Sequence, residues 1–332
     1  MTPGRPIPPG ERGAALLAVL LLVAVMGALA VAALEKMRMA TALAVNSAGL
    51  DRARAFAVGV ESLLALRIDD LIAMSPERTT LAGGWNGQTR RLPLPGGGLA
   101  EAAIHDGGNC FNVNSVADGS LATALTPRAS GIGQFGALLE TLGVPEREAR
   151  GIADAAGDWV DGDAIPALAG AEDGSYARAE TPYRTGNTLM ADVSELRAVA
   201  GMTPEIYERL RPWLCALPST DLSPINVNTL YPEQAPLLAM LAPGQVSVDT
   251  ARRVIAERPA AGWGSLPEFY RVPALANVLL PSDVQQQPQL RTKWFRLDLK
   301  VALPGAELME SALIDARTAP ARVVARRWGN DE

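Results

Sequence analysis

At 332 residues and 34.9 kDa, the chain is long enough for one large domain or two of ordinary size. Hydrophobic residues make up 48% of it but aromatic residues only 5%, so leucine, alanine and valine must fill the core. A net charge of −6 argues against nucleic acid as the main partner, because such partners usually require a basic face, and it suits hard cations better.

The first feature along the chain is an uncharged apolar run. Residues 14–34 carry no charged side chain, a length that matches the hydrocarbon thickness of a bilayer if the run is helical. The run is longer than the core of a typical signal peptide, and no clear A-x-A cleavage site follows, so we expect it to stay as a transmembrane helix. Arg5 and Arg12 favour a cytoplasmic N-terminus. Proline is absent from Ala14 to Ser75, which predicts one very long helix, half of it amphipathic and outside the membrane.

Two cysteines and one histidine restrict the available chemistry. Cys110 and Cys215 are far apart in a chain with an export-type N-terminus, which favours one disulfide in an oxidising compartment; two buried free thiols are the alternative. His105 has no second ligand at metal-binding spacing, and no nucleophile and base can be named. We therefore expect no Cys/His metal site and no enzyme activity.

The rest of the chain predicts a turn-rich segment, a helical region and a strand-rich end. A strand is expected near residues 99–105, and the alternation of FRLDLKVAL, Phe295 to Leu303, predicts an antiparallel strand pair on the N-terminal helix. The predicted helices are residues 134–142, 146–160, 193–214, 231–241 and 248–257. The expected fold class is α+β: a long N-terminal helix packed on an antiparallel sheet, with a large, mostly α-helical insertion.

The predicted insertion contains a repeated Asn-x-Asn motif and a hairpin. The motif occurs in CFNVNSV (Asn112, Asn114) and in INVNTL (Asn226, Asn228), and asparagine at such places favours turns and helix caps over a ligand role. Other segments look like helix-hairpin-helix or SAM-type units. The hairpin at residues 201–204 lacks the second glycine of phosphate-binding versions and has a proline without an N–H donor, so we interpret it as scaffold. A membrane-anchored helix-hairpin-helix protein of DNA binding or uptake is the alternative function.

An acidic segment is the strongest candidate site. Residues 151–195 contain nine acidic side chains against two arginines, a net charge of −7. Three aspartates lie at the C-terminal end of a predicted helix, where the helix dipole disfavours negative charge. Two more acidic residues follow a Gly/Pro-containing loop, which can return them to the same place. Calcium takes about six to eight oxygen ligands, which this composition supplies; a solvated acidic loop is the alternative. The candidate calcium ligands are Asp158, Asp161, Asp163, Glu172 and Asp173.

The N-terminus resembles the signal of type IV pilins and type II secretion pseudopilins: a short polar leader, a glycine and a long apolar helix. In those families a prepilin peptidase cuts after the glycine and methylates the new N-terminus. The resemblance therefore implies cleavage between Gly13 and Ala14 and N-methylation of Ala14. The glutamate usual at mature position five is replaced here by Ala18.

Several blocks in order, among them CFNVN, DWVDGD, PYRTGN and INVNTL, resemble the GspK family of large minor pseudopilins, which also lack that glutamate. The resemblance covers nearly the whole chain and implies a pilin-like domain with a helical insertion, a Cys110–Cys215 disulfide and bound calcium. The implied divisions are a leader (1–13), a transmembrane helix (14–34), the pilin-like helix and first strands (35–109), the helical insertion (110–290) and the C-terminal strands (291–332).

The same resemblance implies a function and a location. The family's members are non-enzymatic subunits of the tip or initiation complex of the periplasmic pseudopilus, which serves protein export across the outer membrane. The implied partners are the minor pseudopilins GspI and GspJ, with GspH as a further candidate, the major pseudopilin and the prepilin peptidase; nucleic acid is not among them. The implied location is the inner membrane, crossed once, with the soluble domain in the periplasm.

Overall fold

A computed structural model describes the backbone of residues 9–120 and 124–329, with side chains from residue 13 onward. Most of the predicted leader, residues 1–8, lies outside the described residues. Gly13 and Ala14 are described, and both are exposed residues of the first helix.

Helix α1 spans Pro9–Met74 and has two distinct parts. From residue 13 to residue 48 every side chain is exposed, although the sequence there is rich in leucine, valine and alanine. Farther along, residues at helical spacing become buried: Ala53, Ala57, Val60, Leu64 and Ile68. The predicted single long helix is therefore confirmed, and only its second part packs against the rest of the chain.

The remaining elements are short except for the strands of the main sheet. The helices are α2 (Ala129–Thr141), α3 (Glu146–Val160), α4 (Asp173–Tyr176), α5 (Pro204–Leu210), α6 (Ala235–Ala239), α7 (Val248–Ala256) and α8 (Leu266–Tyr270). The strands are β1 (Arg90–Leu94), β2 (Gly98–Asp106), β3 (Phe111–Asn112), β4 (Ala117–Asp118), β5 (Thr126–Pro127), β6 (Leu214–Cys215), β7 (Trp294–Leu303), β8 (Ala306–Asp315) and β9 (Arg322–Trp328).

The main sheet is antiparallel and has five strands in the order β1-β2-β7-β8-β9. Alternate residues of each inner strand point toward α1, so that Ala100, Val301 and Leu308 lie in one row across β2, β7 and β8. The sequence predicted a pair of C-terminal strands, and the structure has three. The insertion interrupts the sheet in the sequence but not in space, because β2 precedes it and β7, which pairs with β2, follows it.

The insertion between β2 and β7 has a hydrophobic core of its own. Helices α2 and α3 pack together in its first part, and α6 and α7 in its second. The predicted helical region at residues 193–214 consists of short helices that are interrupted at the predicted hairpin, residues 201–204. Gly201 has a φ of +81°, and Thr203 then caps α5 by accepting a hydrogen bond from the backbone N–H of Ile206. Pro204, which lacks an N–H, is therefore the first residue of a new helix rather than part of the preceding one.

Candidate metal centre

The two Asn-x-Asn motifs fix loops of the insertion, and the first of them holds the end of the loop that contains the candidate site. Asn114 accepts a hydrogen bond from the backbone N–H of Met190 at 2.7 Å and donates to the carbonyl oxygen of Leu217 at 2.9 Å. Asn228 forms the corresponding pair with Trp263, accepting from its N–H at 2.6 Å and donating to its carbonyl at 3.1 Å. Asn112 and Asn226 each accept from the N–H two residues on, which is an Asx turn. The predicted turn and cap role is confirmed, and all four side chains are buried.

Helix α3 delivers the first carboxylates. Its apolar face at Ile152 and Ala156 is buried against the insertion core, which places Asp158 in the last turn and Asp161 at the C-cap. Glu172 lies just before α4. The three carboxylates offer oxygens that all lie within 4.8 Å of one another. Their exposed fractions are 1%, 0% and 6% for Asp158, Asp161 and Glu172, so the group is buried.

Protein donors satisfy only part of this group. Both oxygens of Asp158 accept from the backbone N–H of Ala167, each at 3.1 Å. Both oxygens of Asp161 and Oε1 of Glu172 are buried without a hydrogen-bond partner among the described residues. A buried carboxylate without a partner is strongly unfavourable, so these oxygens require a proton or a cation.

The electrostatics of the three carboxyls agree with this requirement. Burial, and then the negative charge of Asp163, raise the pKa of Asp161 to about 6. Burial, and then the charges of Asp161 and Asp158, raise the pKa of Glu172 to about 7. The pKa of Asp158 is also raised, mainly by burial. A divalent cation among them would reverse these shifts, because it favours the ionised form of each ligand.

The other two acids predicted from the sequence lie outside the group of three. Oδ1 of Asp163 accepts from the backbone N–H of Ile165 at 2.7 Å, and its side chain is exposed. Oδ1 of Asp173 accepts from the N–H and the hydroxyl of Thr185 at 3.0 and 2.9 Å. Its Oδ2 lies 3.9 Å from Nε of Arg184. Both residues therefore shape the loop around the site.

Two supporting features were not predicted from the sequence. Gly170 passes so close to Asp158 that an added Cβ would lie 2.0 Å from Oδ2, so any other residue there would displace the Asp158 carboxylate. The ring of Trp159 packs edge-on against Tyr176, with centroids 5.5 Å apart, and Tyr183 lies 5.0 Å from Tyr176. A glycine beside acidic residues was the available signal for the first feature, and three aromatic residues in an aromatic-poor chain were the signal for the second.

The disulfide and the apolar helix complete the set of predicted features. Cys110 and Cys215 form a disulfide, next to the parallel pairing of β3 with β6, and this confirms the implied pairing. Within α1, an 18-residue window has a mean hydropathy of 2.9 and none of it is buried. By length and composition this helix can cross a membrane.

A half-exposed apolar helix whose second part packs on an antiparallel sheet defines a class of protein: pilin-like assembly subunits, here with a helical insertion. Residues 109–219 and residues 225–293 match two family descriptions, both of the type II secretion system (T2SS), protein K. A curated type II secretion system protein K from Klebsiella pneumoniae is 37% identical over 324 residues, which is 96% of this chain and 97% of the relative. One from Pectobacterium carotovorum subsp. carotovorum is 33% identical over 322 residues, with the same coverage of 96% and 97%.

A solved structure is also similar. The GspK–GspI–GspJ complex from the enterotoxigenic Escherichia coli type 2 secretion system contains a chain that matches with a TM-score of 0.72 and 28% identity. The match covers 85% of this chain and 97% of that one. The present chain belongs to the type II secretion system protein K family, and its role is that of a minor pseudopilin.

Proposed function

We propose that this chain is the membrane-anchored subunit of the complex that initiates and tips the periplasmic pseudopilus used in protein export across the outer membrane. The observation that carries the proposal is the division of α1 into an exposed apolar part, residues 13–48, and a part packed on the sheet. An exposed apolar helix is stable in lipid or against other apolar helices. The first part of α1 therefore serves for anchoring and assembly, and the folded domain serves for contact with partners on the periplasmic side.

The proposed partners are the minor pseudopilins GspI and GspJ, with GspH and the major pseudopilin as further neighbours. Support comes from the similar solved chain, which is part of a GspK–GspI–GspJ complex. The test is co-purification of the full-length chain in detergent with tagged GspI and GspJ from the same secretion system. We expect a ternary complex on size exclusion. Elution of this chain alone, while GspI and GspJ remain together, would contradict the proposal.

We propose processing by prepilin peptidase between Gly13 and Ala14, with N-methylation of Ala14. The exposed position of both residues at the start of α1 supports access. Intact-mass measurement of the chain from membranes tests this, and the expected product begins at methylated Ala14. Retention of Met1 would contradict it. The proposed location is the inner membrane, crossed once by residues 14–34.

We propose calcium as the cation held by Asp158, Asp161 and Glu172. Its support is the chemistry of the donor set: three buried carboxylates, three of whose oxygens have no protein partner among the described residues. Calcium prefers such oxygen ligands and would neutralise their charge, fixing the loop after α3 against that helix. Elemental analysis of the purified chain, and calorimetric titration with calcium after chelation, test the assignment.

We propose that the chain is not an enzyme and that its insertion, built of units like helix-hairpin-helix and SAM domains, is scaffold. The single histidine, His105, lies in β2 with Nε2 3.2 Å from Oδ2 of Asp298, which is an ordinary cross-strand polar contact on the sheet. The hairpin before α5 places Pro204 where a phosphate-binding version needs an N–H donor, and Glu205 and Glu208 follow it. A gel shift with duplex DNA at low salt is expected to show no binding.

A further inference from the structure

Two buried glutamates and a partly exposed arginine meet where α1 packs on the edge of the sheet. Glu61 of α1 and Glu310 of β8 are only 4% and 3% exposed. Arg326 of β9 donates to both carboxylate oxygens of Glu61, from Nη2 at 2.7 Å and from Nε at 2.8 Å. Its Nε also lies 3.2 Å from Oε1 of Glu310. This cluster joins three elements of the fold and belongs to none of the sites described above.

The cluster contains two carboxyl groups and one guanidinium group. Oε2 of Glu310 is buried and accepts no hydrogen bond within the described part of the chain. Nε of Arg326 contacts Oε2 of Glu61 at 2.8 Å and Oε1 of Glu310 at 3.2 Å, so the two carboxyl groups lie side by side on one guanidinium group, and a single proton on either of them relieves their repulsion. With that proton the cluster is neutral overall. Without it, two buried carboxylates share one partly exposed guanidinium group, which leaves one negative charge uncompensated.

The neighbours on each packed element make Glu310 the group that holds this proton. Burial, and then Glu61, raise its pKa to about 8. Burial opposes ionisation of Glu61 as well, but its hydrogen bonds with Arg326 and Glu310 outweigh burial, so its pKa is lowered. On β7 the residue paired with Glu310 is the apolar Leu299. On β9 the ring of Trp328 lies 5.7 Å from the guanidinium carbon of Arg326.

Strand β9 uses consecutive arginines for two different contacts. Successive side chains of a strand point to opposite faces, so Arg326 faces α1 while Arg327 faces the other side. Nη1 of Arg327 lies 2.6 Å from Oδ2 of Asp192, which caps a short 3₁₀ helix at Val193–Ala198 in the insertion. Strand β9 thus contacts α1 through Arg326 and the insertion through Arg327. It is an edge strand and mostly exposed, so these ion pairs add to the antiparallel ladder with β8, the strand's single neighbour within the described sheet.

We propose that Glu61, Glu310 and Arg326 form a proton-linked latch, which holds β9 on α1 when Glu310 is protonated and loosens β9, and with it the contact to the insertion, when both carboxyls are ionised. The folded cluster binds the proton more tightly than the unfolded strand does. The contribution of Glu310 is therefore complete below the ordinary glutamate pKa of about 4.3 and is lost progressively as pH rises toward 8. The lowered pKa of Glu61 acts in the opposite direction, because its ion pair with Arg326 is lost as pH falls, so the latch is strongest at mildly acidic pH.

Hydrogen exchange of the full-length chain in detergent tests the latch. Protection of the β9 amides, corrected for intrinsic exchange, is expected to fall by up to about tenfold per pH unit between pH 5 and pH 8, and at least tenfold in total. Amides in the middle of β2 serve as the internal reference. Equal protection of β9 at pH 5 and pH 8 would overturn the proposal without any variant being made.

Two variants separate the latch from general effects of charge. In Glu310→Gln the amide can donate to Glu61 at every pH, so β9 protection is expected to become independent of pH. The control Glu307→Gln removes an exposed carboxyl on the same strand, one paired with Lys300, and is expected to retain the wild-type pH dependence. The proposal would be overturned if β9 protection in Glu310→Gln fell between pH 5 and pH 8 as strongly as in the wild type. It would also be overturned if β9 protection in Glu307→Gln no longer depended on pH.

Discussion

The insertion contains two units, residues 109–219 and residues 225–293. Each has the same clamp, by which we mean an asparagine side chain that hydrogen-bonds to the backbone of a distant residue, but the two units differ in the loop that the clamp closes. In the first, Asn114 holds the backbone of Met190, 76 residues farther on; in the second, Asn228 holds Trp263, 35 residues farther on. The first unit therefore closes a loop that is 41 residues longer, and that loop contains the acidic segment. Both units also have a paired helix hairpin, α2–α3 and α6–α7. The comparison indicates one scaffold used twice, with the group of three carboxylates added in an enlarged loop.

The two units differ correspondingly in how their buried charge is satisfied. In the second unit the guanidinium group of Arg258 donates to the carbonyl oxygen of Leu230 at 2.6 Å and lies 3.4 Å from that of Val227, so backbone acceptors satisfy it. In the first unit the buried oxygens of Asp161 have no such partner. A long loop with unsatisfied carboxylates needs external stabilisation, and among the residues that the structure describes the disulfide and the carboxylate group both lie in the first unit. Function is often placed on loops of a rigid scaffold in this way.

Removal of the disulfide is expected to have the largest effect and to be confined to the first unit. A cross-link between residues 105 apart stabilises by about 4–5 kcal/mol in the chain-entropy model. The double variant Cys110→Ala, Cys215→Ala should therefore lose hydrogen-exchange protection mainly in residues 109–219. Equal loss of protection in residues 225–293 would show that the two units unfold together and would break the comparison.

Substitution of Asn114 or of Asn228 by alanine removes the clamp of one unit and leaves that of the other unit in place. Asn114→Ala leaves the N–H of Met190 and the carbonyl of Leu217 buried without partners, and Asn228→Ala does the same to Trp263, at a cost of about 2–4 kcal/mol in either case. Chemical denaturation measures this cost. Calcium affinity, by calorimetry, is expected to fall at least tenfold in Asn114→Ala and to remain within twofold in Asn228→Ala. A similar fall in both variants would mean that the site depends on the insertion as a whole.

Calcium removal is expected to destabilise the first unit by a moderate amount. At calcium a hundredfold above Kd, binding contributes about 2.7 kcal/mol, and a chelator removes this contribution. Differential scanning fluorimetry of the full-length chain in detergent should show a lower Tm after chelation and recovery with added calcium. Asp161→Asn should abolish the response, because both oxygens of Asp161 face the group without another partner. An unchanged calcium response in this variant would contradict the assignment.

Local patterns predicted the regular elements, and long-range contacts decided what the sequence left open. The bounds of α3 agree with the predicted helix at residues 146–160, because its apolar side chains recur at helical spacing and its acidic N-terminal turn favours that start. The loop that contains the carboxylate group is held at its end by Asn114, which is 76 residues from its partner Met190, and no local pattern encodes that contact. The same holds for Glu61 and Arg326, which are 265 residues apart in the chain. A glutamate on an otherwise apolar helix face was the only local signal of that cluster.

The smallest expected effect distinguishes the three-carboxylate site from the five-carboxylate site that the sequence predicted. Asp163→Asn retains the acceptor for the N–H of Ile165 and removes a charge that raises the pKa of Asp161, so unfolding free energy should change by no more than about 0.5 kcal/mol. Calcium affinity should fall less than threefold, since the loss is that of a nearby charge rather than of a ligand. If calorimetry instead shows a fall of tenfold or more, Asp163 turns inward to bind the ion. The loop after α3 would then rearrange on binding, and the first unit would differ from the second in mobility as well as in charge.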